Sequence, residues 1–194
     1  MSPLYRFDLQ WFRAINIGWH SPILDPFFHV LSVVGLGEVE TLITFSLLLF
    51  KPARKYVFPL LFTLLLSSLT SQLPKHFIPR DRPSNLTFAI AQEPWKYHSF
   101  PSGHATSAFA MAFMIVLLTH RTNHRWIGWV SLVIAALIGI SRIYRGVHWP
   151  SDVIAGVFFG CGTAALAYLF LLFLKRISGP TSSGNDQLTA ATGP

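Results

Sequence analysis

Four long stretches of this chain contain no charged residue, and no other feature restricts its possible folds as strongly. The stretches run from Tyr56 to Leu73, Ala105 to Thr119, Trp126 to Ser141 and Val153 to Leu174. A helix needs about 20 apolar residues to cross the hydrocarbon core of a bilayer, and these stretches come close to that length. With 52% apolar and 12% charged residues, the chain also lacks the polar groups that cover a soluble domain. We therefore predict an all-α, integral-membrane helical bundle.

The stretch over residues 23–50 is harder to interpret because acidic residues interrupt it. Residues 35–37, Gly-Leu-Gly, have the composition of a turn, so we predict two shorter helices over residues 22–34 and 38–50. Two helices here give about six transmembrane helices and place both chain termini on one side. A single broken span is the alternative, and we prefer six crossings.

Basic residues are concentrated in short segments beside the apolar stretches. With six crossings, three such segments share the side of the N-terminus: Lys51 to Lys55, His120 to Arg125, and Lys175-Arg176. The positive-inside rule assigns this side to the cytoplasm. The net charge of +7 also suits a nucleic-acid partner, but flanking charges that orient membrane helices explain the pattern better. We predict no nucleic-acid partner.

The two ends of the chain differ from its middle. The first twenty residues alternate Leu4, Phe7, Trp11 and Ile15 with polar residues such as Asp8, which predicts an amphipathic helix in the membrane interface. Residues 178–194 are rich in Ser, Gly, Thr and Pro and are predicted to form a disordered tail. Residues 1–177 then form one domain. Within its last span, Gly156 and Gly160 form a G-x-x-x-G pair that favours close helix packing.

Three unusually polar segments fall on the outer side in this topology. They are Lys75 to Pro83, His98 to His104 and Ser141 to Asp152. Ionisable residues at a membrane are costly, so their concentration predicts a functional site. In the first segment two prolines interrupt the helix and turn Lys75 and Arg82 toward a common point, where both side chains suit phosphate oxygens. A basic flank at the interface explains this segment alone equally well.

The second segment contains Pro101-Ser102-Gly103-His104 directly before an uncharged stretch. Ser102 is a predicted N-cap, and the free backbone N–H groups at a helix start form a phosphate site. Gly103 lets a ligand approach the backbone closely. An ordinary cap beside an incidental histidine is the better interpretation for this motif alone.

The third segment places His148 at the start of the last helix, with Asp152 about one helical turn later. An aspartate in that position accepts a hydrogen bond from one ring nitrogen and leaves the other nitrogen free as a nucleophile. Such a pair can also be purely structural. The nearby Arg142 makes that alternative weaker.

Together these residues resemble the type 2 phosphatidic acid phosphatases, a family that shares its site with vanadium-dependent haloperoxidases. The family motifs are Lys-x6-Arg-Pro, Pro-Ser-Gly-His and Ser-Arg-x5-His-x3-Asp. They match in order at Lys75 to Pro83, Pro101 to His104 and Ser141 to Asp152, within a core of about residues 56–175. Three matches in order are far more specific than any one of them.

The resemblance implies a role for each matching residue. His148 is expected to attack phosphorus and form a phosphohistidine, Asp152 to orient it, and His104 to protonate the leaving oxygen. The phosphate oxygens are expected to be held by Lys75, Arg82, Arg142 and the backbone around Ser102 and Gly103. No metal or other cofactor is required. Because an unperturbed imidazole titrates near pH 6.5, a bell-shaped pH–rate profile is expected.

Several residues near the motifs are not part of them. Among Arg80, Arg145, Lys96, His76 and His98 we expect some contacts with the substrate head group. Aromatic residues at the membrane interface are predicted at Trp95, Tyr97 and Trp149.

The predicted function is a lipid phosphatase that hydrolyses a phosphomonoester or diphosphate, in a bacterial cytoplasmic membrane with the active site facing outward. An outward site favours undecaprenyl diphosphate, with phosphatidylglycerophosphate and phosphatidate next. A vanadate-dependent haloperoxidase is one alternative. A membrane protein that binds or transports lipid phosphates without catalysis is another.

Overall fold

The computed structural model describes residues 1–94 and 98–178, and every regular element in these residues is helical. The helices are α1 (Pro3–Phe12), α2 (Leu24–Val34), α3 (Gly37–Ser46), α4 (Val57–Phe77), α5 (Gly103–Thr119), α6 (Arg125–Tyr144) and α7 (Pro150–Ile177). The predicted all-α fold is confirmed. The predictions for Trp95, Lys96, Tyr97 and the tail from residue 179 onward concern residues outside those described.

Three of the described helices are long and apolar enough to cross a membrane: α4 with the turn before it, α6 and α7. Helix α5 is equally apolar but shorter, with 17 residues. All four coincide with the uncharged stretches of the sequence.

Two helices, α2 and α3, are present in residues 22–50 as predicted, although α3 ends at Ser46. Their 11 and 10 residues correspond to about 15–17 Å each, roughly half the hydrocarbon thickness of a bilayer. At the break between them the chain changes direction by 68°, which is a bend and not a reversal. The pair therefore has the geometry of a broken span or a re-entrant loop, and six complete crossings are not confirmed.

The position of α1 shows that the prediction of both termini on one side is wrong. Helix α1 packs against the first residues of α7, where the ring centroids of Phe12 and Trp149 lie 5.4 Å apart. Lys175 and Arg176 lie at the opposite end of this 28-residue helix. The reason is that α2 and α3 together carry the chain along the bundle only once. The basic segments around residues 51–55, 120–125 and 175–176 still share one end of the bundle.

Helix α5 is the centre of the bundle and packs against α4, α6 and α7. Alanines make up much of its buried surface, and small residues let neighbouring backbones approach closely. A Cβ atom added to Gly160 of α7 would lie 2.4 Å from the carbonyl oxygen of Thr106. The same addition at Gly156 would lie 2.8 Å from the Cβ of Ala105. The predicted packing role of the glycine pair is confirmed.

Candidate active site

The ends of four helices bring the three polar segments together at one end of the bundle. Lys75 lies in the last turn of α4 and Arg142 in the last turn of α6, whereas Gly103 and Asp152 lie in the first turns of α5 and α7. A Cβ atom on Gly103 would lie 3.7 Å from the Nζ of Lys75, so the ammonium group faces the start of α5. The N–H of Ser102 donates to the carbonyl oxygen of Asp152 at 3.1 Å, which ties the starts of α5 and α7 together.

The His148–Asp152 pair has the relative placement that the spacing predicts. The Nδ1 of His148 lies 3.6 Å from the Oδ2 of Asp152, slightly beyond ordinary hydrogen-bond distance. The carboxylate is fully buried and held by neighbours: the Trp149 N–H donates to Oδ2 at 2.9 Å, and the Ser99 hydroxyl also donates to Oδ2. Arg80 donates to Oδ1 at 2.5 Å. These bonds fix the orientation of the carboxylate that faces the imidazole.

The other ring nitrogen of His148 faces a cation. Nη1 of Arg82 lies 3.2 Å from Nε2, and the same Nη1 donates to the carbonyl oxygen of Val147 at 2.7 Å. With its proton on Nδ1, toward Asp152, the imidazole keeps a lone pair on Nε2. The ring can then act as a nucleophile through Nε2.

Burial lowers the pKa of His148 to about 4, with the positive charge of Arg82 acting in the same direction and the carboxylate of Asp152 opposing it. The imidazole is therefore neutral at pH 7. Burial, together with the charge of Arg142, also lowers the pKa of Arg82, to about 10. The guanidinium still carries its charge at pH 7. The pair thus combines a neutral imidazole with a permanent cation.

Arg142 is fully buried, and an acidic partner that the sequence reasoning missed engages it. Its Nη2 donates to Oε2 of Glu93 at 2.8 Å, and the Nε of Arg145 donates to Oε1 at 2.5 Å. Arg142 also donates to the hydroxyl of Ser32 in α2. Glu93 therefore holds both arginines beside the site. A single sequence gives no signal that pairs this loop glutamate with residues so far along the chain.

The second motif forms the start of α5, and the predicted cap is confirmed. The Oγ of Ser102 accepts from the N–H of Ala105 at 3.5 Å. His104 follows in the first turn, with its ring edge near the α2–α3 turn at Gly35. Among the described residues, its buried Nε2 has no hydrogen-bond partner. This nitrogen can accept or donate a proton within the site.

Three residues behave differently from what the sequence predicts. Trp149, expected at the membrane interface, is buried against Phe12 of α1. Arg80, expected to contact a head group, instead bonds two carboxylates, those of Asp152 and Asp8, each at 2.5 Å. Asp8, expected on the polar face of an interfacial helix, is fully buried. The helical pattern of α1 shows which residues are polar but not that one of them has a partner 72 positions later.

Comparisons with known proteins show the family to which the chain is similar. The PAP2 superfamily matches residues 56–176. The undecaprenyl-diphosphatase of Sulfolobus acidocaldarius is 32% identical over 79% of this chain and 73% of its own length. The lipid A 4'-phosphatase of Porphyromonas gingivalis is 29% identical over 90% and 77%, respectively. A crystal structure of a PAP2 type phosphatidylglycerolphosphate phosphatase from Bacillus subtilis has a TM-score of 0.75 at 24% identity, covering 91% of this chain and 90% of that chain.

Apolar helices that carry cations and histidines at one end, together with these relatives, define an integral-membrane phosphatase that acts on lipid phosphates. The chain belongs to the PAP2 superfamily. The predicted family and reaction class are confirmed.

Proposed function

We propose that this phosphatase hydrolyses the diphosphate of a polyprenyl lipid of the undecaprenyl class through a phosphohistidine at His148. The observation that carries the mechanism is the arrangement of the His148 ring. Nε2 faces Arg82 at 3.2 Å, and Nδ1 faces the carboxylate of Asp152, whose orientation is restricted by hydrogen bonds from three groups. Undecaprenyl diphosphate is the substrate named for the relative that is 32% identical to this chain.

The reaction has two steps. In the first, the Nε2 lone pair of His148 attacks the terminal phosphorus, and the bond from phosphorus to the bridging oxygen breaks. His104 protonates that oxygen, which leaves on the lipid monophosphate. In the second, His104 takes a proton from water, the water oxygen attacks phosphorus, and the bond between nitrogen and phosphorus breaks to release inorganic phosphate.

Positive charge stabilises both transition states. Lys75 and Arg82 face the start of α5 and the nucleophile, and the first N–H groups of α5 add donors for the phosphate oxygens. Arg142 is the third cation of the proposed phosphate site, held in place by its contact with Glu93. In this mechanism these cations carry out the charge neutralisation, and no metal ion is needed.

An apolar groove beside the site supports a long-chain lipid as substrate. A cavity of about 600 Å³ lies between α4 and α7, lined by Leu66, Thr70, Ala155, Phe158, Phe159, Gly162, Thr163 and Leu166. Ala155 follows Asp152 by less than one turn, and the ring of Phe159 lies 6.3 Å from that of Phe100, just before the Pro-Ser-Gly-His motif. We place the first isoprene units of the substrate in this groove.

The placement of charge supports an active site on the extracytoplasmic face of a bacterial membrane. The basic segments at residues 51–55, 120–125 and 175–176 lie at the end of the bundle opposite the site. The positive-inside rule places such segments in the cytoplasm. This argument does not depend on six crossings, because one broken span leaves all three segments at the same end.

The test is phosphate release from undecaprenyl diphosphate, phosphatidylglycerophosphate and phosphatidate by the detergent-purified protein in the presence of EDTA. We expect the highest kcat/KM with undecaprenyl diphosphate. His148→Ala should lose activity by at least about 1,000-fold, whereas His124→Ala, an exposed histidine at the other end of the bundle, should not. Brief reaction with substrate labelled in the terminal phosphate should leave an acid-labile, alkali-stable label on the wild type only. Full activity in His148→Ala, or complete inhibition by EDTA, would contradict the mechanism.

A further inference from the structure

A partly buried ion pair connects the first helix of the chain to the active site. Nη2 of Arg80 donates to Oδ2 of Asp8 at 2.5 Å, while Nη1 of the same guanidinium donates to Oδ1 of Asp152 at 2.5 Å. Asp8 and Asp152 are both fully buried. One arginine thus joins a carboxylate of α1 to the carboxylate that faces His148.

Asp8 also binds the first turn of α7 directly. Its Oδ1 accepts from the N–H of Ser151 at 2.8 Å, and its Oδ2 accepts from the Ser151 hydroxyl at 2.8 Å. The first N–H groups of a helix have no partner within the helix and favour negative charge. Asp8 therefore caps α7 from another helix. It does so at Ser151, one residue before Asp152 in the sequence.

The electrostatic balance explains why a second carboxylate is needed. With Asp152 alone, the partly buried Arg80 would have a single counter-ion and would direct its hydrogen bonds to it. Asp8 holds the second arm of the guanidinium, so Arg80 contacts Oδ1 of Asp152 and leaves Oδ2 to Trp149 and Ser99, on the side of His148. A planar guanidinium held by two carboxylates has little freedom to rotate.

We propose that Asp8 is a positioning residue, which through Arg80 and Ser151 fixes Asp152 and thereby the orientation of His148. Asp8 touches neither the phosphate nor the reacting atoms. It lies outside residues 56–176, the part of the chain that matches the PAP2 superfamily, so the site is completed by a segment beyond the matched region. The proposal rests on the proposed role of His148 as nucleophile.

The test compares Asp8→Asn with variants that separate the loss of the Asp8 charge from a loosening of the packing of α1 on the bundle. Asparagine keeps the size of the side chain and an oxygen acceptor for Ser151, but removes the charge that Arg80 binds. On a water-soluble short-chain diphosphate we expect kcat to fall on the order of 10-fold, with KM within about twofold of wild type. Asp8→Glu should recover part of the loss because it restores the charge. Phe12→Leu is the control for the packing of α1, because it loosens the contact with Trp149 and leaves Asp8 unchanged.

A double-mutant cycle completes the test. If Asp8 acts through Arg80, Arg80→Gln in the Asp8→Asn background should lower kcat by much less than it does in the wild type. A kcat of Asp8→Asn within twofold of wild type, or an equal loss in Phe12→Leu at matched thermal stability, would overturn the proposal. If the wild-type enzyme forms no phosphohistidine, that result contradicts the proposed function and not the role of Asp8. Active wild type, inactive His148→Ala and unaffected Asp8→Asn would overturn only the role of Asp8.

Discussion

Nη1 of Arg82 lies 3.2 Å from Nε2 of His148, so a permanent cation faces the atom that we propose attacks phosphorus. The same cation helps to keep the imidazole unprotonated before the substrate binds. After attack it faces the phosphoryl group now attached to that nitrogen. One contact therefore favours both the reactive form of the nucleophile and the charge of the intermediate.

The acid side of the pH–rate profile follows from the pKa of His148, which burial lowers to about 4. Attack requires the neutral ring, so the acid limb of kcat/KM should rise as pH increases through about 4. The measurement is kcat/KM for a water-soluble substrate from pH 3.5 to 8. Arg82→Gln removes a charge that lowers this pKa, so its acid limb should move to higher pH. A wild-type acid limb near pH 6.5 would show that burial does not control the nucleophile.

Lys75 should contribute to catalysis through its charge at the start of α5. Lys75→Met should lower kcat/KM on the order of 100-fold, because a cation beside the phosphoryl oxygens is lost. Lys55→Met removes an exposed lysine from the turn before α4, at the opposite end of that helix from Lys75. This substitution should leave kcat/KM within twofold of wild type. Equal effects of the two substitutions on phosphate release would argue against a site at Lys75.

Gly160 and Gly162 of α7 form a matched pair for measuring how helix packing contributes to the free energy of unfolding. Gly160→Ala should destabilise the fold by about 1–3 kcal/mol, because its Cβ would meet the Thr106 carbonyl oxygen at 2.4 Å and the α5–α7 contact must widen. Gly162→Ala meets nothing within 4 Å and should be neutral or stabilising by up to about 1 kcal/mol, as alanine favours a helix. Thermal unfolding in detergent compares the two. A stable Gly160→Ala would show that the two backbones are not closely packed.

The open space at Gly162 also allows a test of whether the substrate lipid binds in the groove between α4 and α7. Gly162→Phe would place a ring in the groove between α4 and α7, far from the proposed nucleophile along the helix. Activity on undecaprenyl diphosphate should fall on the order of 10-fold through KM, while a short-chain diphosphate should be hydrolysed at the wild-type rate. The control is Phe173→Leu, an exposed residue nearer the other end of α7. Unchanged KM for the long-chain lipid would remove the groove from the substrate path.

Much of this arrangement can be predicted from the sequence, since the constraints involved are local. Uncharged stretches define α4 to α7, and the spacing of His148 and Asp152 is that of one helical turn. The cap at Ser102 follows from a serine directly before an apolar helix. Each of these features depends on residues within a few positions of one another.

The features that the sequence reasoning missed depend on the relation between distant segments. Each of three residues binds a charged residue of the site that is distant in the chain. Asp8 binds Arg80, Glu93 binds Arg142, and Ser99 binds Asp152. The prediction that both termini lie on one side is wrong because loop charge alone does not distinguish one broken passage from two complete ones. The bend of 68° between α2 and α3 depends on their packing against the rest of the bundle.

The contact between Asp8 and Ser151 joins residues 143 positions apart. During synthesis the first helix leaves the ribosome long before the last one, so this contact forms only after nearly the whole membrane domain has been made. A chain interrupted before α7 lacks Asp152, the carboxylate that faces His148, and leaves Asp8 without Ser151. Catalytic competence therefore coincides with completed membrane insertion, and partly inserted chains have no means to hydrolyse the lipids around them.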